Sequence, residues 1–303
     1  MRTLPPLMIT WAACAVLSRA DERVARMLER LSEEAAAFEQ SAPNLIAEET
    51  LVQRSIKPAH RRLRPRSVSQ QQPHTPEWQT REIVSEYTYA AAPGDPGNIR
   101  EFRRVLSVDG RPVEESRKAV ETLAKSIRSD DDQARLRLLQ AFAKHGLVGT
   151  ITDIGQIILL FERRNLQRFE FQPAGSTMIG AERCWIFRYE QLEGPEQVTV
   201  WQGSRLMRAK LAGQIFARQS DYLPIRITFA SVVGQDQKAI REEAQVEYAQ
   251  SRYGSLVPVS VVHREYRNGA LITENLFSYS SFRKFGSSSG VRFQLQAPGG
   301  SDK

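Results

Sequence analysis

Along the first third of the chain the hydrophobic spacing switches from a period near 3.6 to a period of two. From Asp21 onward Val24, Met27, Leu28, Leu31, Ala35 and Phe38 recur at helical spacing with Glu and Arg between them. This predicts an amphipathic helix ending near Ser41-Ala42-Pro43. Leu45 to Arg54 then reads as a polar strand. Arg81 to Tyr89 sets Ile83, Tyr87 and Tyr89 on one face, and Arg100 to Val108 sets Phe102, Leu106 and Val108 on one face. Helical spacing returns with Val120, Leu123, Ala124 and Ile127, and again after Ser129 with Leu136, Leu139 and Phe142, stopping at Gly146. A third helical segment, Ile151 to Arg164, carries Ile154, Ile157, Ile158, Leu159, Leu160 and Phe161. It is apolar around most of its circumference, which predicts a buried or lid helix. From Leu166 the chain reads as all β: Phe169 and Phe171, then Trp185, Phe187 and Tyr189, then Val198 and Val200, then Leu211 and Ile215, then Ile225, Ile227 and Phe229.

The last strands are tied together by Arg267-Asn268-Gly269-Ala270, because Asn-Gly tolerates the positive φ angles of a type I′ hairpin turn. Counting back from that turn places Tyr266 opposite Leu271, Glu265 opposite Ile272, His263 opposite Glu274 and Val261 opposite Leu276. Both faces of this hairpin carry apolar groups, so both are expected to be covered. Strands following one another without intervening helices predict a meandering antiparallel sheet. The expected class is α+β, with about ten or eleven strands and three to four helices packed on the sheet.

Composition refines this outline at its ends. Met1-Arg2, the apolar run Leu7 to Leu17, and Ser18-Arg19-Ala20 have the form of a secretory signal peptide cleaved after Ala20. Lipidation at Cys14 is the alternative, and a retained anchor the third. Without Cys14, Cys184 is the only cysteine, so no intramolecular disulfide is expected. The formal charge of +7 falls to +5 without Arg2 and Arg19, a balance that suits anionic surfaces and is equally common in proteins that are simply soluble. Residues 21–285 suffice for one large β domain. Residues 56–79, with Arg61, Arg62, Arg64, Arg66 and three consecutive glutamines, read as a basic disordered loop, and residues 286–303 as a disordered Gly/Ser tail.

No reaction chemistry is legible. His60, His74, His145 and His263 lack the spacings of a zinc site, so no metal is expected. The aspartates after Ser129 are explained as helix-start residues, since they lack the alternation and closing glutamate of a calcium loop. Gly286-Ser287-Ser288-Ser289-Gly290 matches G-x-S-x-G without the strand and helix that a nucleophile elbow needs. Cys184, between Arg183 and Trp185, reads as core rather than as a reactive thiolate. No phosphate or dinucleotide fingerprint is present, and no aromatics interleave the basic loop before Trp78, so neither a cofactor nor a nucleic-acid partner is expected.

Gly213-Gln214-Ile215-Phe216-Ala217-Arg218, followed by Leu223-Pro224-Ile225-Arg226, resembles the G-x-[IL]-W-[VI] … LP-x-R strand-turn-strand signature of the outer-membrane lipoprotein-sorting superfamily, the half-barrel carriers of the LolA/LolB type. The Phe-rich strand at Arg168 to Gln172 and the strand Cys184 to Tyr189 after Gly180 follow the same order. The likeness covers roughly Gln167 to Phe285. It departs at Phe216, where tryptophan is usual, and in the long insertion Val113 to Arg164. The resemblance implies an antiparallel half-barrel around an apolar cavity closed by helices, binding acyl chains or a lipidated partner. It also extends to exported bacterial proteins of this architecture that have no assigned role.

The expected function is therefore a periplasmic or extracellular, non-catalytic binding or carrier protein for lipid or another apolar ligand. It is expected to act as a monomer, its expected partners include a lipidated protein or an anionic membrane surface, and association with the outer membrane is an expected variant of its localisation. Candidate cavity or lid residues are Ile154, Ile157, Ile158, Phe161, Trp185, Ile186, Phe187, Ile215, Ile227 and Phe229. A secreted structural or protein-interaction module is the alternative, favoured if the concave face is filled.

Overall fold

The computed structural model describes residues 10–57, 76–92, 95–113, 143–148, 154–192, 198–202, 205–233 and 239–284. Helix α1 (Thr10–Ser41) begins upstream of the expected Asp21 and ends where Pro43 imposes a 3-10 turn, Ala42–Asn44. Its buried stripe is Met27, Leu31, Ala35 and Phe38, as the spacing predicts.

Among the described residues thirteen strands follow. They are β1 (Leu45–Ile56), β2 (Trp78–Ala92), β3 (Asp95–Val108), β4 (Arg111–Pro112), β5 (Phe169–Ile179), β6 (Glu182–Gln191), β7 (Val198–Gln202), β8 (Arg205–Ala209), β9 (Ala212–Arg218), β10 (Pro224–Val233), β11 (Ile240–Gln250), β12 (Leu256–Arg267) and β13 (Ala270–Lys284). Eleven of them form one sheet in the order β4-β3-β2-β1-β13-β12-β11-β10-β9-β6-β5. All its described pairings are antiparallel and the sheet does not close on itself, the arrangement of a half-barrel. Strands β7 and β8 leave the meander as a separate hairpin. The N-terminal strands join the C-terminal ones through the β1–β13 pair, where Leu51 lies opposite Phe277.

Three expectations need correction. The first is the helix count: α1 is the one long helix among the described residues, not one of three or four. Within the expected helix Ile151 to Arg164, the described residues from Ile154 on form a 3-10 helix, Ile157–Phe161, in place of an α-helix. Gly155 precedes it and Ile157-Ile158 are β-branched, so helix propensity there is weak and only a short tight turn forms. The helices expected over Val120–Ile127 and Ser129–Gly146 lie outside the described residues except near Gly146, as do most of the basic loop and the tail.

The second concerns the hairpin. Asn268 and Gly269 have φ of 52° and 75°, as the turn requires, and Tyr266 does face Leu271. A bulge between Glu265 and Tyr266 then shifts the register by one, so Glu265 faces Thr273, His263 faces Asn275 and Val261 faces Phe277. Glu274 falls on the other face, paired with Arg264 at 2.7 Å. That face is open in part, with Leu276 well exposed.

The third lies on β3. Val105 faces Ser85, Arg103 faces Tyr87 and Glu101 faces Tyr89, whereas Phe102 pairs with Thr88 on the opposite parity. A bulge at Val84/Ser85 returns Val108 to the side of Ile83. The expected apolar row Phe102, Leu106 and Val108 therefore does not share one face, and the inner parity of β3 carries charge.

Candidate functional site

One face of the sheet carries a continuous apolar band. Reading across paired strands it runs Ile83, Leu51, Phe277, Val261, Val246, Ile227, Ile215 and Phe187, all buried. Period-two alternation on every strand puts these side chains on the same side. Gly213 opens a close approach beside the band: a Cβ there would lie 2.0 Å from the Thr228 carbonyl oxygen. Over that glycine the Tyr189 hydroxyl donates to the Thr228 carbonyl at 2.9 Å.

Two separate elements cover the band. Helix α1 crosses from β6, where Arg23 lies 4.8 Å from the Trp185 ring centroid, to β2, where Phe38 meets the edge of Tyr89 at 5.3 Å. The segment 154–161 runs beside it. Gln156 Nε2 donates to the Ile99 carbonyl at 2.8 Å at one end, and Phe161 packs on Tyr189 and Phe169 at 4.9 and 5.4 Å at the other. In the middle the Tyr248 hydroxyl donates to the Gly155 carbonyl at 2.9 Å and accepts from the Ile158 amide at 3.3 Å. Gly155 itself is required, because a Cβ would stand 2.8 Å from Glu101 Oε1 and 2.9 Å from the Tyr87 hydroxyl.

The residues singled out from sequence fall into three places. Phe187, Ile215, Ile227 and Phe229 are on the covered face, and Ile154, Ile157, Ile158 and Phe161 are buried in the covering segment. Trp185 is half-buried at the rim beneath Arg23. Ile186 is different: it pairs with Phe216 and points to the opposite face from Phe187. A residue between two inward neighbours on one strand cannot itself face inward. Cys184 is buried on the parity of Ile186, and burial raises its thiol pKa, so it is no activated nucleophile.

Two polar constellations on the covered face were missed. In the first, Arg103 Nε donates to both carboxylate oxygens of Glu49 at 2.7 and 2.9 Å, and Arg103 Nη2 to Glu101 Oε2 at 2.9 Å. All three are buried, and the carboxylates hold the guanidinium charged against the cost of desolvation. In the second, Ser231, Glu242, Glu265 and Thr273 face one another across β10, β11, β12 and β13, beyond the end of the apolar band. Next to them His263 Nδ1 lies 3.1 Å from Asn275 Nδ2, and Gln53 Nε2 donates to Asn275 Oδ1 at 2.7 Å. Burial lowers the His263 pKa to about 4, so the imidazole is neutral, and it faces Asn275 in place of the Glu274 expected from sequence. The signal for both constellations was strand parity: Glu49 sits between Ala47 and Leu51, and Glu242 is in step with Ala244 and Val246.

Among the described residues no group of three or more His, Cys, Asp or Glu stands in a metal-binding arrangement, and no helix is long and apolar enough to cross a membrane. A groove of about 250 Å³ opens beside Gly213, Thr228, Gln245 and Arg264.

No family model and no curated protein matches the chain. Among solved structures it is similar to a putative outer membrane lipoprotein-sorting protein domain from Vibrio parahaemolyticus, at 9% identity and a TM-score of 0.39, covering 86% of this chain and 93% of that one. It is also similar to a LolA superfamily protein from Nitrosomonas europaea, at 11% identity and TM-score 0.30, covering 84% and 94%. A DUF1329 family protein from Desulfovibrio piger is similar at 8% identity and TM-score 0.34, covering 89% and 98%. The first two belong by name to the superfamily that the segment Gly213 to Arg226 resembles.

Proposed function

We propose that the chain is a non-catalytic binding or carrier protein for an apolar ligand, a lipid or the acyl chains of a lipidated protein, held on the covered face of the half-barrel. One observation carries this reading: the apolar band spans eight strands and, among the described residues, is closed by α1 and the segment 154–161 rather than by a second sheet. No backbone ladder ties these covers to the sheet among the described residues, and they are held by side-chain packing and a few hydrogen bonds. They can therefore lift and leave the sheet intact. The composition of residues 1–20 supports export, to the periplasm or beyond, with residues 21–285 as the working domain.

A secreted interaction module is the second reading. What favours it is the closeness of the cover, with Ile158, Phe161, Met27 and Leu31 wholly buried against the face that a ligand would occupy. Native mass spectrometry with organic extraction of the purified protein separates the two. A carrier brings lipid from its producing cell, giving an adduct in the native spectrum and lipid in the extract. A clean apo mass together with an empty extract supports the module.

A further inference from the structure

The polar end of the covered face has a chemistry that the apolar band does not explain. Along β10 the inward residues run Ser231, Phe229, Ile227; along β11, Glu242, Ala244, Val246; along β12, Glu265, His263, Val261. Three adjacent strands thus change from polar to apolar in the same direction, each step of two residues advancing about 7 Å. Glu242 lies directly opposite Glu265, and like charges so placed repel. Among the described residues Arg267 is the one cation paired with either carboxylate, with its Nη2 3.9 Å from Glu265 Oε1, and Glu242 forms no ion pair. Opposite Glu242, Ser231 is 3% exposed and its hydroxyl has no hydrogen-bond partner among the described residues. A buried hydroxyl without a partner is costly unless something completes it.

We propose that Ser231, Glu242 and Glu265 bind the cationic head of an amphiphile, a primary ammonium, whose hydrocarbon chain lies along Phe229, Val246 and Val261. The proposal rests on the carrier reading and specifies its ligand. Three acceptor groups match the three N–H donors of an alkylammonium, and one positive charge offsets the repulsion of two carboxylates. Burial and the facing Glu265 raise the Glu242 pKa to about 7, so an ammonium competes there with a proton. Amine affinity therefore weakens as the pH falls from 8 to 6.

The test is calorimetric titration of the full chain at pH 8 with decylamine, decanol and decanoate, each below its micellar concentration. Decylamine is expected to bind at least about tenfold tighter than decanol, the effect of roughly one charge-assisted contact, and decanoate no tighter than decanol. The double variant Glu242→Gln/Glu265→Gln should abolish that preference, bringing decylamine to the affinity of decanol, and Ser231→Ala should weaken decylamine more than decanol. Equal binding of decylamine and decanol, or a preference that survives the double variant, overturns the head site and leaves the carrier standing. If none of the three binds, the carrier reading falls and the head site with it. Should the double variant fail to fold, the ratio of amine to alcohol in the unaltered chain decides.

Discussion

Glu242 and His263 sit on neighbouring strands of one face and titrate in opposite senses. Desolvation, reinforced by Glu265, raises Glu242 to about 7. The folded state then holds its proton more tightly than the unfolded one, so this contribution is complete below pH 4.5 and is lost as pH rises through 7. For His263 desolvation lowers the pKa to about 4, and the groups facing it, Asn275 and Ala244, carry no charge. Its contribution is complete above pH 6.5 and is lost as pH falls through 4. Each shift corresponds to roughly 3 kcal/mol at its limit. In urea unfolding, the stability of Glu242→Gln relative to the unaltered chain should rise steadily between pH 5 and 8, by up to roughly 3 kcal/mol. His263→Gln should instead flatten the loss below pH 6. A stability difference for Glu242→Gln that does not change with pH would show that its carboxylate is solvated. Gly213 supplies a second test at this scale. Since a Cβ there meets the Thr228 carbonyl oxygen at 2.0 Å, Gly213→Ala should destabilise by about 1 to 3 kcal/mol, and an unchanged melting temperature would refute the close approach. The same contact gives a physical reason for glycine at the head of the strand-turn-strand signature.

At the scale of elements, strands were the legible part and covers were not. Period-two alternation and Asn268-Gly269 announced the sheet and its last turn. A bulge leaves no such mark, because it adds one residue without disturbing composition, and one residue was enough to exchange Glu274 for Asn275 beside His263. The segment Ile154 to Phe161 showed its burial through its hydrophobicity, but a 3-10 helix and an α-helix bury the same residues at this length. What fixes the segment in place is Tyr248, with one hydroxyl serving both the Gly155 carbonyl and the Ile158 amide. Tyr248→Phe removes both bonds while keeping the ring, leaving two backbone groups without partners at a cost of about 1 to 3 kcal/mol. If the segment opens as a unit, that cost lowers its own opening free energy. Amide hydrogen exchange at Ile158 to Phe161 should then speed up at least about tenfold, with strands β10 to β12 unaffected. Uniform acceleration across the sheet would mean that the segment is plain core and does not lift alone.

For the whole molecule the decisive contact is the one between the two ends of the chain. β13 is an interior strand, bonded on one side to β12, its hairpin partner, and on the other to β1, more than two hundred residues away in sequence. The alternating pattern identified both strands, yet nothing local in β1 says that its neighbour is β13. Such pairings are set by the global meander, and loop-closure entropy opposes them until the rest of the sheet exists. The pair also carries buried polar links: Glu49 lies opposite Tyr279 while binding Arg103, and Gln53 is bonded to Asn275. Removing β13 would expose two edges, strip Phe277 from the apolar band, and leave Gln53 without Asn275. A chain ending at Gly269 should therefore lose cooperative unfolding altogether, while one ending at Lys284 retains every described strand and should melt as a single transition. Circular dichroism melts of the two truncations decide the point. If the chain ending at Gly269 still melts cooperatively, β1 to β4 form a unit independent of the rest, and the covered face is two surfaces rather than one binding wall.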